Sequence, residues 1–373
     1  MVTLKIEHVT IRQLKMRMKS PFVTSFGTVQ TKQFLIVEVF DKEGLVGFGE
    51  GVAFEAPWYT EETLQTSWHM LEDFLVPIIL KSEIGHPSEV SQLFSSIRRN
   101  NMAKAAIETA IWDLYAKQNH ISLAKALGGK RDSIEVGVSI GIQPTTEQLY
   151  EKIDHAIREG CKRIKVKIKP GLDLDLISSI RKRYPDIPLM ADANSCYTLN
   201  DIPLLKSLDK YNLLMIEQPL AADDLLQHAK LQKQIQTPIC LDESICSYDD
   251  AKTAIELGSC RVINIKYARV GGLTEAKKIQ NLCEDNNIKV WCGGMLEAGV
   301  GRAHAIALAT LSNFTLPGDT LGSSHYWEED IIYPEVVVKN GLIEVPEGVG
   351  IGYSINQKVL EKYTVKQKII MQD

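Results

Sequence analysis

The chain has 373 residues, a formal net charge of −5 and 45% hydrophobic residues, the proportions of an ordinary folded protein with a sizeable core. Acidic and basic residues are interspersed, so the sequence lacks the basic clusters of nucleic-acid-binding proteins. The first twenty residues carry charges throughout, and no apolar run is long enough to span a membrane. A cytoplasmic protein that binds neither membranes nor nucleic acids is therefore expected. The seven cysteines include no C-x-x-C pair, which argues against a cysteine metal site.

Residues 1–130 are predicted to form an α+β domain. The stretches 3–18 and 33–51 have the composition and alternation of β-strands, and the second contains a turn at residues 41–44. Residues 103–118, AKAAIETAIWDLYAKQ, carry apolar residues at helical spacing, which predicts a helix with a broad apolar surface.

After residue 134, short apolar runs alternate with amphipathic segments of helical period. The segment SYDDAKTAIELG predicts one of the helices, with Ser247 as its N-cap and Gly258 at its end. Seven or eight strand–helix repeats of this kind predict a parallel sheet that closes into a (β/α) barrel. No G-x-G-x-x-G sequence follows the first strand, which argues against an open dinucleotide-binding sheet.

Five ionisable residues end five successive apolar runs of this region at almost equal intervals. They are Lys167, Asp192, Glu217, Asp242 and Lys266, separated by 25, 25, 25 and 24 residues. Because the carboxyl ends of barrel strands form one face, the equal spacing predicts that the five side chains meet there. Any one of these acids alone is more readily explained as a helix cap or a loop ion pair, and any one of the lysines as a surface residue. The shared period favours an active site.

The residue types predict the chemistry of that site. Three carboxylates with no histidine or cysteine among them form an all-oxygen site that suits Mg²⁺, with Mn²⁺ as a substitute. A partly buried lysine near such a cation can have a pKa low enough for general-base catalysis. Lys167 and Lys266 are therefore predicted to act on the α-proton of a small carboxylate substrate bound to the cation.

Polar residues near the strand ends are candidates for the substrate shell. Lys165 lies two residues before Lys167 in KRIKVKIKPG and therefore on the same face, one layer deeper, where it contacts substrate or tunes Lys167. Ser139 and Asn194 share the parity of the strand-end positions, so either a hydrogen bond to substrate or a turn explains them. Lys169, beyond the strand end, is expected to be exposed.

Five short motifs carry a resemblance to the enolase superfamily, in its muconate-lactonizing-enzyme-like branch. They are KVK (165–167), DAN (192–194), IEQP (216–219), LDES (241–244) and NIK (264–266). The resemblance implies an α/β fold with a (β/α)7β TIM-like barrel over residues 131–325. It also implies an N-terminal α+β capping domain, residues 1–130, that is completed by the C-terminal residues 326–373. Mg²⁺ on the three strand-end carboxylates and acid–base roles for the two strand-end lysines are implied as well.

Further stretches narrow the resemblance to the family that contains o-succinylbenzoate synthases and N-acylamino acid (N-succinylamino acid) racemases. They include TSFGT (24–28), VWCGGMLEAGVGRA (290–303) and NFTLPGD (313–319). The resemblance implies that Lys167 removes the proton in a dehydration, while Lys266 stabilises the dienolate or serves the opposite face in a racemisation. The substrate shell that it implies is Lys165, Ser139, Asn194, Phe22, Phe54, Tyr59, Gly293 and Met295, with Arg269 and Glu243 behind it.

Arg269 follows Lys266 by three residues. A fixed cation at this position is expected to favour the neutral amine of Lys266 and so to prepare it as a base; a loop salt bridge is the alternative. The resemblance suggests that members with racemase activity carry this arginine.

Two activities remain open at the level of sequence, and the first of them is the preferred prediction. One is the dehydration of 2-succinyl-6-hydroxy-2,4-cyclohexadiene-1-carboxylate to 2-succinylbenzoate in menaquinone biosynthesis. The other is the racemisation of N-succinylamino acids, as the main or a second activity. Both begin with removal of a proton α to a carboxylate, so the same five residues serve both.

Three other interpretations fit less well. A dipeptide epimerase is expected to carry an acid-rich sequence at the last strand, where this chain has GGMLEAG with one acid, Glu297. A Schiff-base aldolase explains one interior lysine but not the three acids. A barrel that only binds does not require five intact polar positions. The resemblance further predicts a homo-oligomer.

Overall fold

The computed structural model describes residues 3–23 and 27–372. Residues 24–26, which belong to the TSFGT motif, lie outside the described residues. In the described part of the chain, no helix combines the length and the apolar character needed to cross a bilayer.

Strands and helices alternate along most of the described chain. The strands are β1 (Leu4–Val23), β2 (Thr28–Asp41), β3 (Val46–Gly51), β4 (Glu83–Ile84), β5 (Ser133–Glu135), β6 (Val138–Ile140), β7 (Ile164–Lys167), β8 (Leu189–Asp192), β9 (Ile216–Glu217), β10 (Ile239–Leu241), β11 (Val262–Ile265), β12 (Lys289–Cys292), β13 (Ile332–Tyr333), β14 (Leu342–Glu344), β15 (Ser354–Ile355) and β16 (Thr364–Met371). The α-helices are α1 (Leu64–Met70), α2 (Val76–Leu80), α3 (Val90–Leu93), α4 (Asn101–Gln118), α5 (Leu123–Leu127), α6 (Thr146–Arg158), α7 (Leu174–Arg183), α8 (Ile202–Ser207), α9 (Leu225–Gln232), α10 (Tyr248–Leu257), α11 (Tyr267–Val270), α12 (Leu273–Asp285), α13 (Gly299–Ala309), α14 (Ser323–Tyr326) and α15 (Gln357–Tyr363).

The N-terminal sheet runs in the order β16-β1-β2-β3, with β4 paired to the start of β1. Alternate residues of β2 face opposite sides of this sheet. Leu35 and Val37 join a core with α4, whereas Phe34 and Ile36 join the core that extends into the barrel. The strands and the helix that the sequence predicts for this region are confirmed. The sheet therefore carries helices on one face and the barrel on the other.

Helix α4 lies directly on β3 because β3 presents glycines to it. A Cβ on Gly47 would be 2.0 Å from the carbonyl oxygen of Ala110, and a Cβ on Gly49 would be 1.9 Å from that of Ala106. Any side chain at these two positions would push the helix away from the sheet.

The second sheet contains seven parallel strands in the order β6 to β12. Residues 316–319 hydrogen-bond to both of its edges. The Asp319 amide donates to the Cys292 carbonyl in β12 at 2.9 Å, and the Gly137 amide, next to β6, donates to the Gly318 carbonyl at 2.7 Å. The predicted (β/α)7β barrel is confirmed, with a short extended segment at the eighth position.

A packed cluster of apolar side chains fills part of the barrel interior below the strand ends. Met190, Met215 and Cys240 are buried there together with Trp291. Each of the first three lies two positions before one of the three strand-end carboxylates, so it points to the same side one layer deeper. The site therefore stands on a packed floor rather than over a channel.

Helix α10 illustrates how local sequence sets the helix ends. The hydroxyl of Ser247 accepts a hydrogen bond from the Asp250 amide at 3.1 Å, and Gly258 ends the helix with a φ of +70°. Both ends lie where the sequence predicts them.

Candidate active site

The five strand-end residues meet at one mouth of the barrel. The last residues of β7, β8 and β9 are Lys167, Asp192 and Glu217. The parallel register places Lys167 beside Asp192, and Asp192 beside Glu217. Asp242 and Lys266 directly follow β10 and β11. The equal spacing in the sequence thus corresponds to neighbouring positions on one rim.

Each strand-end lysine contacts a carboxylate. Lys167 Nζ donates to Asp192 Oδ2 and to Asn194 Oδ1, both at 2.7 Å. Lys266 Nζ donates to Asp242 Oδ2 at 2.8 Å. The two lysines therefore stand at the two ends of the row of carboxylates. Lys169, beyond the strand, is exposed as expected.

Lys165 is buried beneath this row. Its Nζ lies 2.9 Å from Glu217 Oε2, 3.1 Å from Asp319 Oδ2 and 3.4 Å from Asp192 Oδ2. Burial lowers the pKa of Lys165, but Asp319, Glu217 and Asp192 outweigh burial and raise the pKa well above its usual value. Lys165 therefore bridges three carboxylates.

The acids of the site differ in how easily they ionise. Burial, and next the charge of Asp192, raises the pKa of Glu217 to about 8. Burial, and next the charge of Asp242, raises the pKa of Glu243 to about 7. Burial also acts upward on the pKa of Asp242, but the contacting lysine and arginine hold that pKa below its usual range.

The donor chemistry of the strand-end acids fits a hard divalent cation. Asp192 and Asp242 both raise the pKa of Glu217, so the three carboxylates repel one another and a cation would relieve that repulsion. In the described residues 3–23 and 27–372, no three or more acidic, histidine or cysteine side chains are placed so that they could together hold a metal ion. Lysine and arginine side chains contact the carboxylate oxygens instead.

Arg269 is buried beside Asp242 and forms an ion pair with its Oδ1. The guanidinium also donates to the Tyr59 hydroxyl at 2.8 Å and to the Ile245 carbonyl at 2.7 Å. Burial lowers the pKa of Lys266 and Arg269 lowers it as well, but Asp242, Tyr59 and Glu243 together raise it by more. The expectation that Arg269 lowers this pKa is correct in direction, yet the net shift among these protein groups is upward. The salt bridge that the sequence left as the alternative for Arg269 is also present, and its partner is Asp242.

A cavity opens between this rim and the capping loops. The wall residues that the sequence predicts are Phe22, Phe54, Tyr59, Ser139, Lys165, Lys167, Asp192, Asn194, Asp242, Lys266 and Met295. Tyr59 connects the cap to the barrel, because its hydroxyl accepts from Lys266 Nζ at 2.9 Å. The Phe54 and Trp58 rings pack beside it with centroids 4.3 Å apart. Hence the cavity has a charged barrel side and an aromatic cap side.

Four predicted residues lie behind the cavity rather than in the wall that the described residues form. Glu217 accepts from Asn264 Nδ2 at 2.8 Å, and Glu243 accepts from Asn194 Nδ2 at 3.0 Å. Arg269 lies behind Asp242, as expected of a supporting residue. The fourth, Gly293, is predicted to contact substrate and is absent from the wall that the described residues form.

Gly293 makes room for the Lys266 side chain. A Cβ on this residue would be 2.2 Å from Asn264 Oδ1 and 2.7 Å from Lys266 Cε. The absence of a side chain at Gly293 thus lets the Lys266 stem pass.

Ser139 lines the cavity, and its hydroxyl is buried with no hydrogen-bond partner among the described residues. A buried hydroxyl without a partner is costly, so a hydrogen bond to a bound molecule is the better of the two explanations that the sequence left open.

The sequence reasoning missed several wall residues, of which Asp319 has the clearest function. It lies in the segment at the eighth barrel position and accepts from Lys165 at 3.1 Å and from Arg163 at 2.5 Å. Burial acts upward on the pKa of Asp319, but the two cations hold it below its usual range. The NFTLPGD motif contains this acid, yet it follows no apolar run. The other missed wall residues are Trp58, Gly294, Leu296 and Tyr326.

Comparison with known proteins agrees with this architecture. Residues 6–128 match the family model for the mandelate racemase/muconate lactonizing enzyme N-terminal domain, and residues 148–359 match the model for the enolase C-terminal domain-like family. The chain is 61% identical to an o-succinylbenzoate synthase of Geobacillus stearothermophilus, over 99% of this chain and 98% of that protein. It is 46% identical to an N-succinylamino acid racemase of Thermus thermophilus, over 98% and 99% of the two chains.

Among solved structures, the chain is similar to a member of the enolase superfamily from Listeria innocua. The TM-score is 0.96 and the identity 45%, over 99% of each chain. Two family models that together span most of the residues, and relatives of high identity along the full length, lead to one conclusion: this chain belongs to the enolase superfamily, in the mandelate racemase/muconate lactonizing enzyme family.

Proposed function

We propose that this protein is an o-succinylbenzoate synthase. It dehydrates 2-succinyl-6-hydroxy-2,4-cyclohexadiene-1-carboxylate to 2-succinylbenzoate, a step of menaquinone biosynthesis. The observation that carries the proposal is the placement of Lys167 and Lys266 in the wall of one cavity, with Asp192 and Asp242 between them. The similarity to synthases along the whole chain supports it.

A divalent metal is typical of the enolase superfamily, and we propose that here it is Mg²⁺, with Mn²⁺ as a substitute. Asp192, Glu217 and Asp242 would hold it through carboxylate oxygens, the ligands that both ions prefer. When bound, the cation would stabilise the negative charge that develops on the substrate carboxylate as its α-proton leaves.

The side chains supply the proton transfers. Lys167, as the amine, takes the proton from the carbon next to the substrate carboxylate. The electron pair of that C–H bond forms the new ring double bond, and the C–O bond to the hydroxyl group breaks. The hydroxide leaves with the proton from Lys167 as one water molecule, so the lysine returns to the amine. The Lys266 ammonium, on the other side, offsets the negative charge that develops on the substrate as its proton leaves.

The cap supplies the cover over the substrate. Phe22, Phe54 and Tyr59 line that side of the cavity and would enclose the succinyl group. Burial raises the pKa of the Tyr59 hydroxyl far above its usual value, so Tyr59 stays neutral and orients Lys266 by a hydrogen bond without competing for protons.

A second candidate is N-succinylamino acid racemisation. The specific observation in its favour is a lysine on each side of the cavity, since racemisation needs a proton donor and a proton acceptor on opposite faces of one carbon. The two reactions share the first step, so one site can perform both.

The test is an ultraviolet assay on the cyclohexadiene substrate, with Mg²⁺ and again with EDTA. Rapid conversion that EDTA abolishes is the expected result. If folded, Mg²⁺-supplied protein leaves the substrate unchanged but exchanges the α-proton of N-succinylamino acids in D₂O, the second candidate replaces the first. Borohydride trapping of a substrate adduct on Lys266 would contradict both.

A further inference from the structure

One buried lysine has no place in this mechanism. Lys32 belongs to β2 and is 1% exposed. It shares the parity of Phe34 and Ile36, so it lies on the face of the N-terminal sheet that looks toward the barrel. Lys32 thus lies between the capping part and the barrel.

The ammonium of Lys32 contacts two carbonyl oxygens and one aromatic ring. Its Nζ donates to the Val52 carbonyl at 2.7 Å and to the Met295 carbonyl at 3.4 Å. It also lies 3.6 Å from the centroid of the Phe54 ring, within the distance of a cation–π contact. One charged group therefore joins the capping loop at residues 52–54 to the barrel loop that follows β12.

Both segments that Lys32 joins contribute to the substrate cavity. Phe54, from the cap, and Met295, from the barrel, are wall residues. Their backbones come from opposite parts of the molecule, so the width of the cavity between them depends on contacts such as these. Lys32 itself is not in the wall that the described residues form.

Packing alone does not account for an ammonium in this position. An apolar side chain would fill the space beside Phe34 and Ile36 without desolvating a charge. Glu50, Glu297 and Glu55 attract the charge, yet burial outweighs them and lowers the pKa of Lys32 to about 8. Keeping this charge buried therefore costs free energy, and the groups that the ammonium contacts belong to the two loops.

We propose that Lys32 is a positioning residue that fixes the Phe54 side of the cavity against the Met295 side and so sets how tightly the substrate is covered. The inference deepens the proposed function and rests on it for the choice of substrate.

The experiment compares the full-length protein with Lys32→Met, which keeps an unbranched side chain of similar length and removes the ammonium. Lys277→Met is the matched control, because Lys277 Nζ also donates to a carbonyl oxygen, that of Leu127 at 2.7 Å, away from the cavity. Hydrogen–deuterium exchange of residues 52–59 and 293–298 is measured without substrate. KM and kcat are then measured on the cyclohexadiene substrate.

For Lys32→Met we expect faster exchange in both segments and a KM higher by about tenfold. The reason is that Phe54 and Met295 would no longer be held in place before the substrate binds, so binding would have to order them. The kcat should change much less, and the melting temperature should change little, because two carbonyl oxygens lose their donor while the cost of a buried charge is removed. Lys277→Met should match the wild type in exchange and in KM.

Three outcomes would overturn the inference. Unchanged exchange in Lys32→Met would show that the contacts hold neither loop. A lower melting temperature with equal losses in kcat and in kcat/KM would assign Lys32 to general stability. Failure of both Lys32→Met and the more compact Lys32→Leu to fold would do the same. If the wild type does not convert the substrate, the proposed function fails, while the exchange measurement still decides the role of Lys32.

Discussion

The three lysines of the site differ in their oxygen partners. Lys165 contacts three carboxylates, whereas Lys167 contacts one carboxylate and one amide oxygen, those of Asp192 and Asn194. Lys266 contacts one carboxylate and a neutral hydroxyl. Lys167 and Lys266 thus each contact fewer anions than Lys165 does, which supports the proposal that these two lysines exchange protons with the substrate.

We expect Lys167→Ala to abolish dehydration while the protein stays folded. The Lys167 side chain is 9% exposed at the cavity wall, and its carboxylate partner is Asp192, which keeps Lys165 as a second cation nearby. The rate is measured by the ultraviolet assay, and folding by circular dichroism. A substantial residual rate in the folded variant would rule out Lys167 as the base.

We expect Asp319→Asn to lower both activity and stability. Arg163 is fully buried and its ion pair is with Asp319, so the variant leaves a buried guanidinium without its anion. Removing one partner of a buried pair costs about 3 kcal/mol. Urea unfolding measures this loss, and the ultraviolet assay should show a lower kcat/KM, because Lys165 also loses a partner. Unchanged unfolding would mean that water replaces the carboxylate.

Sequence alone identified the five residues on the rim because each follows an apolar strand and the spacing repeats. It did not identify Asp319, since the contact with Arg163 joins residues 156 positions apart. Nor did it show that Gly293 makes room for Lys266, because the distance from a missing Cβ to Lys266 Cε is a property of the packed site and not of the motif.

At the scale of elements, the loop after β12 constrains the lysine after β11. We expect Gly293→Ala to reduce activity by about a hundredfold, because the added carbon displaces the Lys266 stem and small displacements at a reacting group cost that much. The protein should remain folded, as circular dichroism can verify. A folded variant with the wild-type rate would mean that the loop shifts without moving Lys266.

The periodic elements of the barrel were predictable, and the non-periodic one was not. The local sequence predicts helix α10 from its caps, and it predicts the strands β7 to β11 from their apolar runs. Residues 316–319 have no such pattern, and their place at the eighth position depends on hydrogen bonds to β12 and to the chain before β6. These hydrogen bonds form only when the sheet closes into a ring, so no local sequence pattern predicts them.

At the scale of the whole molecule, Glu108 joins the capping part to the barrel. It lies in α4, and its carboxylate accepts from the Leu273 and Thr274 amides at the start of α12, both at 2.8 Å. Burial raises the pKa of Glu108 from 4.5 to about 7 although these donors lower it. A carboxyl with a raised folded-state pKa contributes stability that is present below pH 4.5 and is lost as the pH rises to about 7.

We therefore expect Glu108→Gln to flatten the pH dependence of stability. Between pH 4.5 and about 7, the free energy of unfolding of the variant should fall less steeply than that of the wild type, by up to about 1.4 kcal/mol per pH unit. Urea unfolding of both proteins over this range measures the slopes. Glu347→Gln, at an exposed position, should keep the wild-type slope. Equal slopes for Glu108→Gln would mean that Glu108 is ionised in the folded protein.

The pairing of β1 with β16 has a consequence for how the protein is made. Arg12 in β1 contacts Gln367 in β16, 355 residues later in the chain. A ribosome needs roughly 20 to 70 s to add that many residues. Throughout that time β1 is an open edge that other nascent chains can pair with, because its outer partner does not yet exist. The protein should therefore depend most on chaperones during translation, and least once its last strand has left the ribosome.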